Sequence, residues 1–270
     1  MFKVDLHIHT NNSDGTLSIN EALRLASKLD IKEISITDHD IIGHLRNYRH
    51  LEQIFNIKII PGVEITADIS KMHVLGYGIK DFDTVESFFE QLKVQNVEKN
   101  RQTIDILQDE GVDISFEKVM SVSTSDLMTH RDIARYLVMK GYVRDSLEAY
   151  KKFIGKGNKA YIPSSKYNFE EVIRIINESG GIAVLAHPYM LPEYVDIEEL
   201  IPRMKKCGLT GLEVYTKRHT ENQKDKLHRI AQKYDLIETA GSDFHNPTVD
   251  TMGIDVDNEF MQKIHKVITC

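Results

Sequence analysis

The sequence predicts an α/β fold, a barrel of strand–helix units interrupted by a mostly helical insertion. Three observations carry this. Strand and helix patterns alternate with short links as far as Ile79, a rhythm that favours parallel strands joined by helices. That rhythm lapses over residues 81–164 and returns afterwards. Several strands end in histidine, aspartate or glutamate, as expected where an active site gathers at the strand C-termini of a barrel.

The opening stretch, Val4-Asp5-Leu6-His7-Ile8-His9-Thr10, alternates apolar and polar residues with the period of a strand. Asn11 to Gly15 reads as a loop, and Ser18 with Glu21 forms a capping box that opens a helix. Glu33 to Thr37 is a strand ending in Asp38-His39-Asp40, and a helix covers about Gly43 to Phe55. Ile57 to Ile60, Val63 to Ile65 and Met72 to Ile79 are further strands. Val85, Phe88, Phe89 and Leu92 fall at helical spacing and start the insertion, in a helix expected to reach Glu110. Helices around Ile133–Val138 and Ser146–Ile154 follow. Asn168 with Glu171 reopens the α/β rhythm, and Ile182 to Ala186 is a buried strand delivering His187-Pro188. A helix from Asp196 stops at Gly208; strands at 211–215 and 236–240 flank the helix Thr220–Tyr234, and a last helix covers about Asn258 to Val267. The expected divisions are 1–80, the insertion 81–164, and 165–270.

Composition narrows the function. The 270 residues are 41% hydrophobic and 28% charged, as in a globular chain, and the net charge of −7 argues against a duplex-DNA surface. Cys207 and Cys270 form neither a metal motif nor a disulfide framework. No apolar run approaches the ~20 residues of a membrane span. Met1 leads straight into a strand without a leader pattern, so a cytoplasmic address is expected.

Nine groups able to bind metal fall at or just beyond strand ends: His7, His9, Asp14, His39, Glu64, His73, His187, Asp243 and His245. Each alone has a bland reading, such as a helix cap or a surface pair. Their recurrence at one kind of position points to convergence on one mouth. Nitrogen and oxygen donors without thiolate suit Mn²⁺, Fe²⁺ or Zn²⁺. Nine ligands exceed what one ion with an open position takes and suit two or three. His44, His50, His228 and His265 lie inside expected helices and read as surface or structural residues, with His130 and His219 intermediate.

These motifs resemble the PHP (polymerase and histidinol phosphatase) family of metal-dependent phosphoesterases over nearly the whole length. Asp5-Leu6-His7-Ile8-His9-Thr10, Thr37-Asp38-His39, Gly62-Val63-Glu64 and Ser242-Asp243-Phe244-His245 carry the likeness. Ser13-Asp14-Gly15, Ala186-His187-Pro188 and the helical insertion are most similar to the branch acting on nucleoside 3′,5′-bisphosphates and short oligonucleotides; the histidinol phosphatase branch typically has histidine where Asp14 stands. The resemblance implies a distorted (β/α)7 barrel and a trinuclear site, with Mn²⁺ the first expectation. His7, His9, Glu64 and Asp243 would hold one ion. Glu64 would bridge to a second, completed by His73 and His187. Asp14, His39 and His245 would hold the third. Thr129-His130-Arg131-Asp132-Ile133-Ala134 departs from the Thr-Arg-Pro-His-Ile-Ala common in relatives, which leaves the substrate contacts open.

Three divalent ions against three ligand carboxylates leave a net positive site, suited to a small phosphorylated substrate such as a nucleotide. The expected nucleophile is a metal-bridging hydroxide, and Asp5 is expected to orient a ligand histidine. Arg131, Arg135, Lys159, Arg218 and His219 are candidate substrate contacts. A histidinol-phosphate-type phosphatase, a metal-dependent amide or C–N hydrolase and a non-catalytic metal-binding module remain open alternatives.

Overall fold

The computed structural model describes residues 2–123, 128–163 and 165–268, which leaves Cys270 outside the described residues. The chain forms two compact units, residues 1–88 with 167–270 and residues 89–166.

The first unit begins with β1 (Phe2–Ile8), α1 (Ile19–Lys28), β2 (Glu33–Ile36), α2 (Tyr48–Phe55), β3 (Lys58–Ile59), β4 (Gly62–Thr66) and β5 (His73–Tyr77). The long helix α3 (Phe82–Asp109) starts in this unit and ends in the second, which continues with α4 (Phe116–Met120), α5 (His130–Met139) and α6 (Ser146–Ala149). The chain re-enters the first unit before α7 (Phe169–Glu178), β6 (Ile182–Leu185), α8 (Ile197–Lys206), β7 (Leu209–Tyr215), α9 (Glu221–Lys233), β8 (Ile237–Ala240), β9 (Ile254–Val256) and α10 (Asn258–Ile268). Phe88 and Tyr167, at the points of exit and return, stack with ring centroids 3.8 Å apart. Helical spacing begins before the unit boundary because Val85 and Phe88 are buried residues of the first unit.

The fold is mixed α/β, but the strands do not close into one barrel. They form two sheets, ordered β3-β2-β1-β9 and β4-β5-β6-β7-β8. β4, β5 and β6 run antiparallel in turn, and β9 is antiparallel to β1, whereas all-parallel strand–helix units were expected. The link from Thr66 to His73 explains the reversal. It is far shorter than the dozen or so residues a parallel crossover requires. The hairpin also moves His73 to the start of β5, so it reaches the end of β4 from the opposite direction. The two sheets share an apolar core, and isolated bridges join their edges, Ile8 with Phe244 and His39 with Glu64. Both bridges involve or adjoin candidate ligands.

Helix starts follow their caps. Ser18, Asn168 and Thr220 each accept from the backbone of the third helical residue in capping boxes. The helix expected over 43–55 is instead a 3₁₀ turn at Gly43–Leu45 followed by α2, and His44 turns inward to lie 2.9 Å from Asp38 Oδ2. Strand β9 and helix α4 carried too few periodic residues to be read from the sequence. The second unit has its own core, including Ile104, Leu107, Ile133, Leu137 and Ile154. Cys207 is a free thiol, and no described helix is long and apolar enough to cross a membrane.

Candidate metal centre

Strand β1 is buried on both faces. Val4 and Leu6 enter the apolar core, while Asp5, His7 and His9 are equally inaccessible on the opposite side. Polar groups buried this deeply need partners. His9 is fixed through its backbone, which donates to Phe244 O at 2.8 Å, and Asp243 N–H returns to His7 O at 2.9 Å. The other seam joins Asp40 N–H to Glu64 O at 3.0 Å. These backbone ties place the ends of β1, β2, β4 and β8 around one point.

Glu64 occupies that point. Its Oε2 lies 3.2 Å from His7 Nε2, 3.1 Å from His9 Nε2 and 3.3 Å from His39 Nε2. Its Oε1 faces His73 Nδ1 at 2.9 Å and His187 Nε2 at 3.0 Å. Asp243 Oδ1 approaches His9 Nε2 and His7 Nε2 at 3.4 and 3.6 Å. Asp14 approaches His9 Nδ1, His245 Nε2 and His39 Nε2 at 3.5, 3.4 and 3.9 Å. Three groups of donors result among the described residues: His7, His9, Glu64 and Asp243; His39, Glu64 and His73; and His9, Asp14, His39 and His245.

The pattern of unpaired atoms tests whether this set fits metal. His7 Nε2, both ring nitrogens of His9, His39 Nδ1, His187 Nδ1 and Glu64 Oε2 are buried without a hydrogen bond. Each such group costs about 1–3 kcal/mol when left unsatisfied. His7 Nε2, His9 Nε2 and Glu64 Oε2 point at one another without hydrogen-bond alignment, an arrangement a shared cation satisfies. All the donors are nitrogen or oxygen, the chemistry of first-row divalent ions. The residues fit a multinuclear centre.

Charge in the metal-free protein follows the same geometry. Burial opposes a charged His9, but Asp243 and Glu64 outweigh it and raise its pKa to about 9. Burial likewise opposes the charged His7, which Glu213 and Glu64 hold well above the ordinary imidazole range. Burial beside other imidazoles drops His39 to about 4. Glu64 and Asp243 stay ionised despite burial because the imidazoles face them. The folded pKa of His9 is raised, so its pairing stabilises the metal-free protein below pH 6.5 and is lost as pH rises through 9. Metal must displace that proton, so divalent-ion affinity is expected to climb about tenfold per pH unit per displaced proton, flattening near pH 9. Calorimetric titrations in buffers of different ionisation enthalpy count the protons; pH-independent affinity would contradict this assignment.

Two candidate ligands sit on strained backbone. Asp243 has φ 55° and His187 φ 26°, in the left-handed region that non-glycine residues avoid. Each is held from outside. Arg218 Nε donates to Asp243 Oδ2 at 2.8 Å and its Nη2 to Asp243 O at 3.3 Å. Glu213 Oε2 accepts from His187 N–H at 2.7 Å, and its Oε1 accepts from His7 Nδ1–H at 2.9 Å.

Asp5 has a different place from the one expected. It accepts from Ser242 N–H at 2.8 Å, Ser242 Oγ–H at 2.6 Å, Gly253 N–H at 2.7 Å and His7 N–H at 3.4 Å. None of these is an imidazole ring, because Asp5 lies one pleat deeper than His7 and meets the loop after β8. The loop carrying Asp14 is tied by Asp38, which accepts from Thr10 N–H, Thr10 Oγ–H and Ser13 Oγ–H at 2.6, 2.6 and 2.7 Å. Burial would raise Asp38, but His44, Thr10 and Ser13 bring it down to about 2.

Among the candidate substrate contacts, Arg218 adjoins the ligand groups. His219 does not offer a free ring edge: Nδ1–H donates to Val214 O at 3.1 Å and Nε2 accepts from Tyr189 N–H at 3.4 Å. Arg131, Arg135 and Lys159 belong to the second unit. Arg135 pairs with Asp132 at 3.0 Å, exposed Lys159 lies 3.7 Å from Glu110, and Arg131 and Arg135 line a cavity of about 610 Å³ with Arg144 and Tyr150. His228 pairs with Glu238 and His265 with Glu33, as structural residues do. Glu213 went unread in the sequence, although a lone charged residue inside the apolar run Leu212-Glu213-Val214 is a usable signal, since buried carboxylates are rare without a partner.

Comparison with known proteins places the chain in a family. The PHP domain model matches residues 5–178. A 5′-3′ exoribonuclease of Haemophilus influenzae is 29% identical over 91% of this chain and 90% of its own. A 3′,5′-nucleoside bisphosphate phosphatase of Chromobacterium violaceum is 28% identical over 92% and 88%. A phosphoribosyl 1,2-cyclic phosphate 1,2-diphosphodiesterase of Eggerthella lenta is 25% identical over 89% and 93%. Two solved structures superpose with TM-scores of 0.69 at 26% identity. One is an amidohydrolase from Chromobacterium violaceum with bound sulfate and no metal, covering 98% of this chain and 96% of its own. The other is a candidate metal-dependent phosphoesterase from Bifidobacterium adolescentis, covering 97% and 95%. With its matching motifs gathered at the junction of two sheets, the chain belongs to the PHP domain family.

Proposed function

We propose that the chain hydrolyses phosphate monoesters of nucleotides, converting a nucleoside 3′,5′-bisphosphate to the 5′-monophosphate, and acts on short oligonucleotides. It is a metal-dependent hydrolase of phosphate esters. The observation that supports a multinuclear reading is the divided environment of Glu64, whose two oxygens face separate sets of imidazoles. The proposed ligand sets are His7, His9, Glu64 and Asp243; Glu64, His73 and His187; and Asp14, His39 and His245. Mn²⁺ is the proposed metal, in a cytoplasmic protein. The two sheets are read as a distorted (β/α)7 barrel opened along its seams.

Bound divalent ions would lower the pKa of water toward ~7 and hold phosphoryl oxygens. The chain's own residues do the rest. Glu64 and Asp243 supply fixed negative charge that keeps the imidazoles in register, and Asp38 holds the Asp14 loop over them. Asp5 anchors the Ser242–Asp243 turn. Arg218 spends two donors on Asp243 and keeps others for an anionic oxygen. Arg218→Ala is therefore expected to raise KM for a bisphosphate about 10- to 100-fold. Bound-metal content at saturating metal should stay unchanged; a loss of metal there instead would make Arg218 a support for Asp243 alone.

The reading is tested by hydrolysis of adenosine 3′,5′-bisphosphate, with 5′-AMP and histidinol phosphate as competitors, by Mn²⁺-loaded protein beside Asp243→Ala. Rapid 3′-phosphate release that the substitution abolishes supports it. Preference for histidinol phosphate would overturn the substrate assignment. Turnover of an amide panel in place of phosphate esters would overturn the reaction.

A further inference from the structure

We infer that Glu213 is a positioning residue that sets both halves of the metal centre at once, through the tautomer of His7 and the main chain of His187. This rests on the metal reading above.

Glu213 lies on β7, is fully buried, and is a member of none of the three donor groups. Its two oxygens are both committed. A carboxylate only accepts, so Oε1 fixes one proton of His7 on Nδ1, and Nε2, facing Glu64 Oε2 and Asp243 Oδ1, is the nitrogen that gives up its proton to a metal. Oε2 holds the N–H of His187, the residue whose backbone is turned to φ 26°. That turn directs His187 Nε2 to the other oxygen of Glu64. One carboxylate thus braces one ligand on each side of the Glu64 bridge.

The packing leaves little freedom. A Cβ on Gly241 would fall 2.3 Å from His7 Cβ and 3.0 Å from Glu213 Oε1, so the backbone of β8's end closes directly on this pair. Glutamine at position 213 would be nearly isosteric but would present an amide N–H₂ either to His7 Nδ1–H or to His187 N–H. Facing His187 the amide meets donor with donor; facing His7 it meets donor with donor or moves the His7 proton to Nε2, the nitrogen that faces Glu64.

The test has two arms. In Zn²⁺-loaded wild-type protein with ¹⁵N-labelled histidine, His7 should show a protonated Nδ1 and a metal-bound Nε2. Ligation through Nδ1 would overturn the inference without recourse to any variant. In the second arm, Mn²⁺ and Zn²⁺ affinity and stoichiometry are measured for Glu213→Gln, with Glu238→Gln as a control on the neighbouring strand. Glu213→Gln should weaken metal binding about 10- to 100-fold, while the control stays at wild type. Wild-type affinity in Glu213→Gln, or lower thermal stability with unchanged affinity, would overturn the inference. Wild-type protein that binds no divalent ion would instead refute the metal reading beneath it.

Discussion

Glu64→Gln should retain the fold and lose two of the three donor groups. The substitution conserves shape but removes the charge that faces His7, His9 and His39 on one oxygen and His73 and His187 on the other. An amide has a single acceptor oxygen, so it serves one side of the bridge at most. The group formed by His9, Asp14, His39 and His245 does not include Glu64 and should keep its ion. The expected protein therefore binds one equivalent of metal. Its turnover of a nucleoside bisphosphate should fall at least about a thousandfold, since each 1.36 kcal/mol of lost transition-state stabilisation is a factor of ten and metal polarisation contributes several. Metal analysis beside steady-state kinetics measures both. Full metal content with full activity would show that Glu64 does not bridge.

Asp5→Ala should act through stability. Asp5 is completely buried, and burial raises its pKa although Ser242, Gly253 and His7 all donate to it. Alanine leaves the Ser242 N–H and Oγ–H and the Gly253 N–H without their acceptor. With about 1–3 kcal/mol for each buried orphan, a loss of about 4 kcal/mol is expected, or about 10 °C in the Tm of a protein this size. Asp243 follows Ser242 directly and already occupies a strained conformation, so metal affinity should fall as well. Asp5→Asn separates this from a direct role in orienting a histidine. It preserves one acceptor and should recover much of the stability and the metal binding together. Normal Tm with lost metal in Asp5→Asn would restore the direct role.

The parts of this molecule legible in its sequence are those written in short-range pattern. Alternation at Val4–His9 marks a strand, and Ser18 with Glu21 marks a helix start, because period and capping are local properties. The candidate ligands were legible because His, Asp and Glu recur beside strand ends. What pairs with what was not. The reversal at β4–β5 depends on a short link whose consequence is antiparallel pairing, and the two seams depend on contacts between residues as distant as Ile8 and Phe244. Asp5 meets backbone and hydroxyl donors in place of an imidazole, and Glu213 goes unread, for the same reason. Alternation shows which face Asp5 occupies but not that Ser242 lies across from it at that depth, and a single glutamate in an apolar strand does not name its partners. His219 sits beside a strand end as an apparent ligand would, yet both ring nitrogens are taken by backbone groups from other segments.

We propose a three-metal centre bridged by Glu64. Diffraction from crystals grown with Mn²⁺, recorded with anomalous scattering, tests it most directly. Three anomalous peaks are expected: one among His7, His9, Glu64 and Asp243, one beside Glu64, His73 and His187, and one among Asp14, His39 and His245. No peak at these residues in protein at saturating Mn²⁺, or a single ion away from Glu64, would contradict it.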